Sequence, residues 1–200
     1  MIIRLLDIVF SILGLIILLP LGLLISLAVL VDDGWPVFYV QERIGKGGKP
    51  FGFVKFRTMY RDADKRGLLT VGGKDPRVTK VGYWLRKYKL DEIPQLIHVL
   101  TGQMSFVGPR PEVKKYVDLY TAEQQKVLMV KPGITDLASV RYIDENKLLA
   151  EAEDPEKMYI REIMPAKIRL NMEYIENKSV WMYLKIIFLT LASLVNKIIK

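Results

Sequence analysis

The chain has 200 residues, which is enough for one domain with a buried core, and half of them are hydrophobic. It contains no cysteine, which excludes disulfides, thiolate chemistry and Cys-type zinc sites. A single histidine, His98, is expected to have a packing or surface role, so a His-based metal site is disfavoured. The net charge is +8, and residues 33–200 carry +9, from 29 basic and 20 acidic side chains. This excess suits anionic headgroups or phosphorylated substrates.

The first element is an apolar run. Residues 8–31 are 24 uncharged, mostly apolar positions with Pro20 near the middle. A straight helix of this length would measure about 36 Å and could cross a hydrocarbon core of about 30 Å. Proline kinks a helix, and halves of about 18 Å would each reach through one leaflet only. The residues leave two interpretations open, a spanning helix or a proline-broken helix that enters and leaves by the same face.

A β-hairpin is predicted next. Residues 37–44 and 51–56 have strand-like composition, and the glycine-rich segment between them is typical of a turn. Side chains alternate across a strand, so Lys55 and Arg57 are expected on one face and Phe56 on the other. The pattern therefore places two cations together on the hairpin.

An acidic pair, Asp91-Glu92, follows a predicted helix over residues 79–88. Asp91 stands where the N-cap of the next helix is expected, and there the helix dipole would keep both carboxylates ionised, as a nucleophile or a Mg²⁺ ligand requires. Arg86 and two lysines lie just upstream and would attract a phosphorylated substrate. Ordinary helix capping explains the same residues, so both roles stay open at this point.

Residues 105–111, Ser-Phe-Val-Gly-Pro-Arg-Pro, predict a rigid turn that fixes Arg110 between two prolines. A guanidinium held in this way can bind phosphate through two hydrogen bonds. A solvated charge on a stiff loop is the alternative.

The rest of the chain is predicted to be mostly helical. We expect helices over residues 112–119, from a capping box at residues 121–124, and from near Pro155 and Pro165. We also expect a surface loop over residues 60–76 and a loop-rich stretch before residue 151. These elements form one α+β, helix-dominated domain.

The last predicted helix covers about residues 179–199. Apolar residues fill most of its circumference, and one narrow stripe is polar, consisting of Lys185, Ser193, Asn196 and Lys200. This pattern is typical of a helix that lies in a membrane interface, and a core helix of the domain is the alternative.

Five segments occur in a characteristic order. They are the proline-containing apolar run, Lys-Phe-Arg-Thr-Met at residues 55–59, Leu-Asp-Glu-Ile-Pro-Gln-Leu at residues 90–96, the motif at residues 105–111, and Lys-Pro-Gly-Ile-Thr at residues 131–135. The series closely resembles the bacterial monotopic phosphoglycosyl transferases, also called bacterial sugar transferases. The resemblance extends over nearly the whole chain, and the ordered set is far more specific than any one motif.

The resemblance implies a reaction. Such enzymes transfer a sugar 1-phosphate from a UDP-sugar to undecaprenyl phosphate or another polyprenyl phosphate, through a covalent aspartyl-phosphosugar and with Mg²⁺, and release UMP. By matching motifs, Asp91 is the nucleophile, Glu92 is its acidic partner in metal binding or proton transfer, and both are candidate Mg²⁺ ligands. The implied phosphate contacts are Lys55, Arg86 and Arg110, with Arg57 as a weaker candidate.

The family also implies a location on the cytoplasmic face of the bacterial inner membrane. Residues 1–32 would form a helix-break-helix that re-enters at Pro20, and residues 33–200 would form the catalytic domain, with amphipathic helices in the interface and membrane lipids as partners. The sequence departs from the family pattern at four positions, Leu19, Asp136, Ser139 and Asn171. No residue pattern identifies the sugar, the glycan pathway or the oligomeric state.

Two alternatives belong to other functional classes. A membrane-tethered basic module could bind anionic lipid or nucleic acid without catalysis, but no nucleic-acid motif is visible, and such a module does not need an acidic pair inside its basic cluster. An ordinary glycosyl transferase acting on a polyprenyl acceptor would release UDP in place of UMP.

Overall fold

The computed structural model describes residues 1–63, 67, 69–70 and 75–199. Its helices are α1 (Ile2–Asp33), α2 (Lys80–Lys87), α3 (Gln95–Thr101), α4 (Lys114–Val117), α5 (Leu137–Arg141), α6 (Glu145–Ala150), α7 (Pro155–Met158), α8 (Met164–Glu176) and α9 (Val180–Ile199). Its strands are β1 (Phe38–Ile44), β2 (Pro50–Phe56), β3 (Ser105–Val107) and β4 (Gly133–Thr135). The predicted α+β, helix-dominated class is confirmed.

The helix α1 continues through Pro20. The expected division of this segment into two helices is therefore corrected to one long helix with an internal proline. Proline removes one hydrogen bond and can bend a helix without ending it, which explains why the sequence signal for a break does not produce two elements. The helix is long and apolar enough to cross a membrane by length and composition alone.

Both ends of α1 pack on the domain. Its buried residues form two pairs at helical spacing, Asp7 and Ser11 near the N-terminus and Ile25 and Val29 near the C-terminus. Near the N-terminus, the Arg4 guanidinium donates to the carbonyls of Val99 and Leu100 at 2.5 and 2.7 Å. The opposite face is exposed and apolar, with Ile16 and Ile17 at 66% and 71% exposure. The helix therefore lies along the domain and does not project away from it.

A buried carboxylate joins α1 to two other elements. Asp7 is 2% exposed and accepts hydrogen bonds from the Ser105 hydroxyl, the Phe106 amide and the Tyr183 hydroxyl, at 2.9, 3.0 and 2.9 Å. These donors lie on β3 and α9. A buried carboxylate is tolerated where several donors compensate its lost hydration, so the three bonds fix the N-terminal end of α1 against the domain.

The predicted hairpin is confirmed. Strands β1 and β2 pair antiparallel, with Phe38 opposite Phe56 and Ile44 opposite Pro50. Beside β2, His98 is buried and accepts a hydrogen bond from the Val54 amide at Nε2, 3.1 Å. The expected packing role of this histidine is therefore also confirmed.

A short parallel pair was missed by the sequence analysis. Strands β3 and β4 pair Ser105 with Gly133 and Val107 with Thr135. The approach is so close that a Cβ atom on Gly108 would lie 2.4 Å from the Lys131 carbonyl oxygen. Two motifs that are distant in sequence, residues 105–111 and 131–135, therefore lie side by side.

The helical predictions are confirmed in part. The start of α7 at Pro155, the proline in the first turn of α8 and the bounds of α9 agree with the sequence. The stretch expected to be loop-rich contains α5 and α6, and α4 is shorter than residues 112–119. Part of the expected surface loop over residues 60–76 lies outside the described residues.

The helix α9 combines the two roles that the sequence left open. Tyr183 and Ile186 are fully buried against the domain, as in a core helix. Large apolar side chains cover its other side, with Trp181 and Phe188 at 76% and 70% exposure. Both α1 and α9 thus present exposed apolar surface, which in a soluble domain of this size would be unusual.

Candidate active site

The backbone that presents the acidic pair is a tight turn between α2 and α3. A 3₁₀ turn covers Leu90–Glu92, and the N-cap of α3 is Pro94, without a side-chain hydrogen bond. The prediction that Asp91 is the N-cap of this helix is therefore wrong. Because Asp91 lies three residues before that position, in a turn of its own, its carboxylate is not used to cap α3.

The Asp91 carboxylate is buried and incompletely hydrogen-bonded. The residue is 7% exposed, and among the described residues its Oδ1 atom has no hydrogen-bond partner. Burial, and then repulsion by Glu92, raise the pKa of Asp91 to about 6, while Lys55, Lys89 and Arg86 act in the opposite direction. An unpaired buried carboxylate is costly to folding, and such groups are concentrated at functional sites.

Glu92 has a different environment from its neighbour. Arg110 donates to both of its carboxylate oxygens, from Nη1 at 3.0 Å and from Nη2. Burial opposes ionisation of Glu92, but attraction to Arg110 and Lys89 outweighs it and lowers the pKa to about 2. Glu92 is therefore an ionised carboxylate whose two oxygens are both engaged.

The backbone of Arg110 is itself anchored by a buried side chain. Its amide donates to Oδ2 of Asp136 at 3.2 Å, and this aspartate is fully buried. Asp136 is also the N-cap of α5, because its Oδ1 accepts a hydrogen bond from the Ser139 amide at 2.5 Å. Interaction with Glu92 raises the pKa of the Arg110 guanidinium despite its burial. The predicted rigid presentation of this arginine is thus achieved by an aspartate from the neighbouring motif as well as by the flanking prolines.

Lys55 and Arg86 approach Asp91 from two other elements. Lys55 comes from β2, its Nζ lies 5.5 Å from the centre of the Tyr39 ring, and burial lowers its pKa to about 8, an effect that Asp91 partly offsets. Arg86 comes from the last turn of α2 and donates to the Thr70 hydroxyl at 2.8 Å. The structure therefore brings together Lys55, Arg86 and Arg110 on the wall of one cavity, which the fourth predicted phosphate contact, Arg57, also lines.

These side chains line one cavity of about 560 Å³. One part of its wall is charged and includes Lys55, Arg86, Lys89, Asp91, Glu92 and Arg110. Polar groups from the region of α5 and α6 continue the wall, among them Ser139, Tyr142 and Asn146. Apolar groups from α1, β3 and α9 complete it, including Leu18, Phe106 and Leu194. The cavity can accommodate a ligand with charged, polar and apolar parts.

Arg57 also lines the cavity, but its partners differ from those of the other cations. It is buried, pairs with the Asp33 carboxylate at 3.0 Å, and donates to the carbonyls of Asp33 and Gly34 at 2.9 and 2.6 Å. The alternation that predicted Lys55 and Arg57 on one strand face stops at Phe56, where β2 ends. Its guanidinium instead binds the C-terminal end of α1.

Arg43 was missed by the sequence analysis. It pairs with Glu112 at 3.0 Å and donates to the Pro111 carbonyl at 3.1 Å, so it supports the segment that carries Arg110. The alternation of Tyr39, Gln41 and Arg43 along β1, all of which line the cavity, was the available signal.

A model of the bacterial sugar transferase family matches residues 1–197. The chain belongs to this family. A UDP-glucose:undecaprenyl-phosphate glucose-1-phosphate transferase of Escherichia coli (strain K12) is 40% identical over 195 residues, which cover 96% of this chain and 40% of the relative. A protein with the same description from Caulobacter vibrioides is 36% identical over 196 residues, or 96% of this chain and 69% of the relative.

The name of a third relative specifies a different sugar. The UDP-N-acetylgalactosamine-undecaprenyl-phosphate N-acetylgalactosaminephosphotransferase of Aeromonas hydrophila is 32% identical over 193 residues, which are 95% of this chain and 43% of the relative. The chain thus spans less than half the length of two of these three relatives. The family resemblance inferred from the ordered motifs is confirmed.

Asp91 and Glu92, the predicted Mg²⁺ ligands, differ in whether their carboxylate oxygens are available to bind an ion. Within the described ranges, no group of three or more His, Asp or Glu side chains could hold a metal ion. Glu92 has both oxygens bonded to Arg110, so it does not fit as a direct ligand. Asp91 fits, because its Oδ1 is without a partner and Mg²⁺ is often held by one carboxylate together with substrate phosphates and water.

The Glu92–Arg110 pair predicts a specific stability effect. We expect Arg110→Met to lower the free energy of unfolding by about 1–3 kcal/mol, because Glu92 would keep a poorly hydrated charge without its partner. The matched control is Lys114→Met in the exposed Lys114–Asp118 pair, for which we expect about 0.5 kcal/mol or less. Chemical unfolding in a mild detergent measures both. Equal effects at the two pairs would contradict the assignment, and adding Glu92→Gln to Arg110→Met should recover part of the loss.

Proposed function

We propose that the protein is a phosphoglycosyl transferase that transfers a sugar 1-phosphate from a UDP-sugar to undecaprenyl phosphate. The observation that carries the proposal is the buried Asp91 carboxylate, whose Oδ1 has no hydrogen-bond partner among the described residues and which lies in a cavity lined by Lys55, Arg86 and Arg110. The names of the relatives support the same donor and acceptor classes. Because these names carry two different sugars, the proposal extends to UDP-sugars as a class.

The first half-reaction forms a covalent intermediate on Asp91. A carboxylate oxygen of Asp91 attacks the phosphorus that carries the sugar, and the bond from this phosphorus to the bridging oxygen breaks. UMP leaves with that oxygen and the bonding electron pair, and an aspartyl-phosphosugar remains. Lys55 and Arg86 offset the negative charge that accumulates on the phosphate oxygens, which is the main way in which a protein assists phosphoryl transfer.

The second half-reaction releases the aspartate. An oxygen of undecaprenyl phosphate attacks the same phosphorus, the bond to Asp91 breaks, and polyprenyl diphosphosugar forms. The second ionisation of a phosphate monoester has a pKa of about 6, so the acceptor is largely a dianion at neutral pH and needs no general base. Glu92 is accordingly assigned to holding Arg110 in place, in preference to proton transfer.

Mg²⁺ is proposed as the cofactor, with Asp91 as its protein ligand. When bound, the ion would supply charge neutralisation at the phosphate oxygens. Asp91 Oδ1 is available for this contact among the described residues, whereas the Glu92 oxygens are not.

We also propose that the protein lies on the cytoplasmic face of the inner membrane and does not span it. Both ends of α1 contact the same domain, through Arg4 at one end and Asp33 at the other. A spanning helix would separate these ends by the thickness of the bilayer. The exposed apolar faces of α1 and α9 would instead enter the cytoplasmic leaflet, with the cavity near the headgroups, where an undecaprenyl phosphate presents its charged end.

The product distinguishes this reaction from ordinary glycosyl transfer and from a binding module. Purified protein in detergent, with Mg²⁺, undecaprenyl phosphate and UDP-sugars, should release UMP, and removal of Mg²⁺ by a chelator should stop the release. Asp91→Asn should abolish turnover and labelling of the protein by a donor labelled at the sugar-bearing phosphorus, because an amide is a poor nucleophile. Asp118→Asn, at an exposed ion-paired aspartate, is the control and should retain activity. Release of UDP, or labelling of Asp91→Asn, would contradict the proposal.

The pH dependence should reflect two shifted groups. Asp91, with a pKa near 6, must be ionised to attack, so kcat/KM should fall as the pH drops through about 6. Lys55, with a pKa near 8, must be charged, so kcat/KM should fall as the pH rises through about 8. The charged groups that influence Lys55 are Asp91, Arg43, Arg86 and Glu92. Lys55→Arg should move the alkaline limb to higher pH and leave the acid limb in place, and an unchanged alkaline limb would contradict this assignment.

Membrane topology can be tested with single cysteines, since the chain has none of its own. Ile2→Cys and Gln125→Cys should react with a membrane-impermeant maleimide from the same, cytoplasmic side. Ile17→Cys, on the exposed apolar face of α1, should react only after detergent is added. Reaction of positions 2 and 125 from opposite sides would establish a spanning helix.

A further inference from the structure

Lys89 adopts a backbone conformation that is unusual for a lysine. Its φ and ψ angles are 58° and 22°, in the left-handed region. In the described part of the chain, only Asp62 shares a positive φ among residues other than glycine. Lys89 follows the C-cap of α2, and glycine or asparagine is favoured there because a Cβ atom is crowded in this conformation. Backbone geometry alone therefore gives no reason for a lysine at this position.

The side chain of Lys89 has a functional environment. It lines the cavity together with Asp91 and Glu92, and its charge lowers the pKa of both carboxylates. The residue is exposed, and no ion pair or hydrogen bond of its ammonium group is seen within the described ranges. Arg110, in contrast, is bonded to Glu92, and Arg86 is bonded to Thr70. Lys89 is thus a cation at the site whose hydrogen-bond donors are available to a ligand.

The left-handed turn separates Lys89 from its near neighbour Lys87. Lys87 lies on α2, where its Nζ packs 5.2 Å from the centre of the Trp84 ring and 5.4 Å from that of Tyr88, and it does not line the cavity. Ending the helix at Tyr88 and turning the chain at Lys89 directs the next residues, Asp91 among them, to the cavity. Two lysines that look equivalent in the sequence are therefore on different sides of the turn.

Charge balance indicates which ligand Lys89 would contact. Among the described residues, eight cationic and five acidic side chains line the cavity, so its wall carries an excess of positive charge, to which Lys89 contributes. An excess of positive charge suits the anionic diphosphate of a nucleoside diphosphate sugar, and loss of Lys89 would reduce that excess. Since Lys89 is exposed, it is accessible to a soluble nucleotide that enters from the aqueous side.

We propose that Lys89 binds the diphosphate of the donor, and that the left-handed turn after α2 places it there. The inference rests on the proposed function, because it takes the donor to be a nucleoside diphosphate sugar. The alternative is a purely structural role, in which Lys89 only offsets the negative end of the α2 dipole.

The proposal can be tested by removing the charge of Lys89 and, as a control, that of Lys87. UDP is the probe, and its binding is measured by titration calorimetry on the purified full chain in detergent with Mg²⁺. Lys89→Gln should weaken the Kd for UDP about tenfold, as expected for loss of a charged hydrogen bond to phosphate. Lys87→Gln removes the same charge two residues away and should change the Kd less than about twofold, because exposed charges outside the site are screened.

Two further variants distinguish the effect of the backbone conformation at residue 89 from the effect of its side chain. Lys89→Gly should also weaken UDP binding about tenfold, with an unchanged or higher melting temperature, because glycine accepts the left-handed conformation. Lys89→Arg should retain affinity within about threefold, since it keeps the charge and its donors. A purely structural cation predicts the reverse pattern, with a lower melting temperature and normal UDP affinity in Lys89→Gln.

The failure of this inference can be told from failure of the proposed function. Equal UDP affinity in the wild type and Lys89→Gln, equal losses in Lys87→Gln and Lys89→Gln, or no UDP binding by the wild type would each overturn the role of Lys89. UMP release by the wild type, measured in parallel, tests the reaction itself. Normal UMP release together with an unaffected Lys89→Gln would overturn the inference alone.

Discussion

The packing of α1 against the turn that carries the acidic pair determines the geometry of the rest of the molecule. Leu90 and Ile93, which flank Asp91-Glu92, belong to the same apolar cluster as Ile25 and Val29 of α1. Phe56, next to Lys55, is buried in this cluster too. The surface that would face the lipid and the residues that would handle phosphate are therefore attached to one core. A displacement of α1 would move Asp91, the proposed nucleophile, so the proposed seating in the membrane and the geometry of the site are coupled.

Charged side chains secure α1 at both ends of this core. Asp7 accepts three hydrogen bonds near the N-terminus, and Arg57 binds the carboxylate and carbonyl of Asp33 near the C-terminus. Arg57 thereby neutralises the negative end of the helix dipole of α1, where no basic residue of the helix itself is present. Apolar packing would allow a long helix to slide or rotate, whereas directional bonds at both ends fix its register.

Local patterns were sufficient for the elements whose signals lie within ten to thirty residues, namely the apolar helix, the hairpin and the C-terminal helix. They were insufficient where distant segments meet. The contact of Gly108 with Gly133 joins two turn-like motifs, and neither motif contains a strand pattern of its own. In the site, the motif located Asp91 but could not exclude capping, which depends on where α3 begins. The bonds of Arg57 to the end of α1 could not be predicted, because alternation does not show where a strand ends, and β2 ends at Phe56.

Two adjacent carboxylates can carry different functions only if their surroundings differ, and here the difference originates in Arg110. Its guanidinium engages both oxygens of Glu92, which lowers the pKa of Glu92 to about 2 and leaves Asp91 as the carboxylate with a free oxygen. The fixed negative charge of Glu92 in turn contributes to raising the pKa of Asp91 to about 6, and a more basic carboxylate is a better nucleophile that is still ionised at neutral pH. The backbone of Arg110 is itself positioned by the buried Asp136, which directly follows β4. The proposed nucleophile is thus distinguished from Glu92 by a chain of contacts from Asp136 through Arg110 to Glu92, which joins segments far apart in sequence.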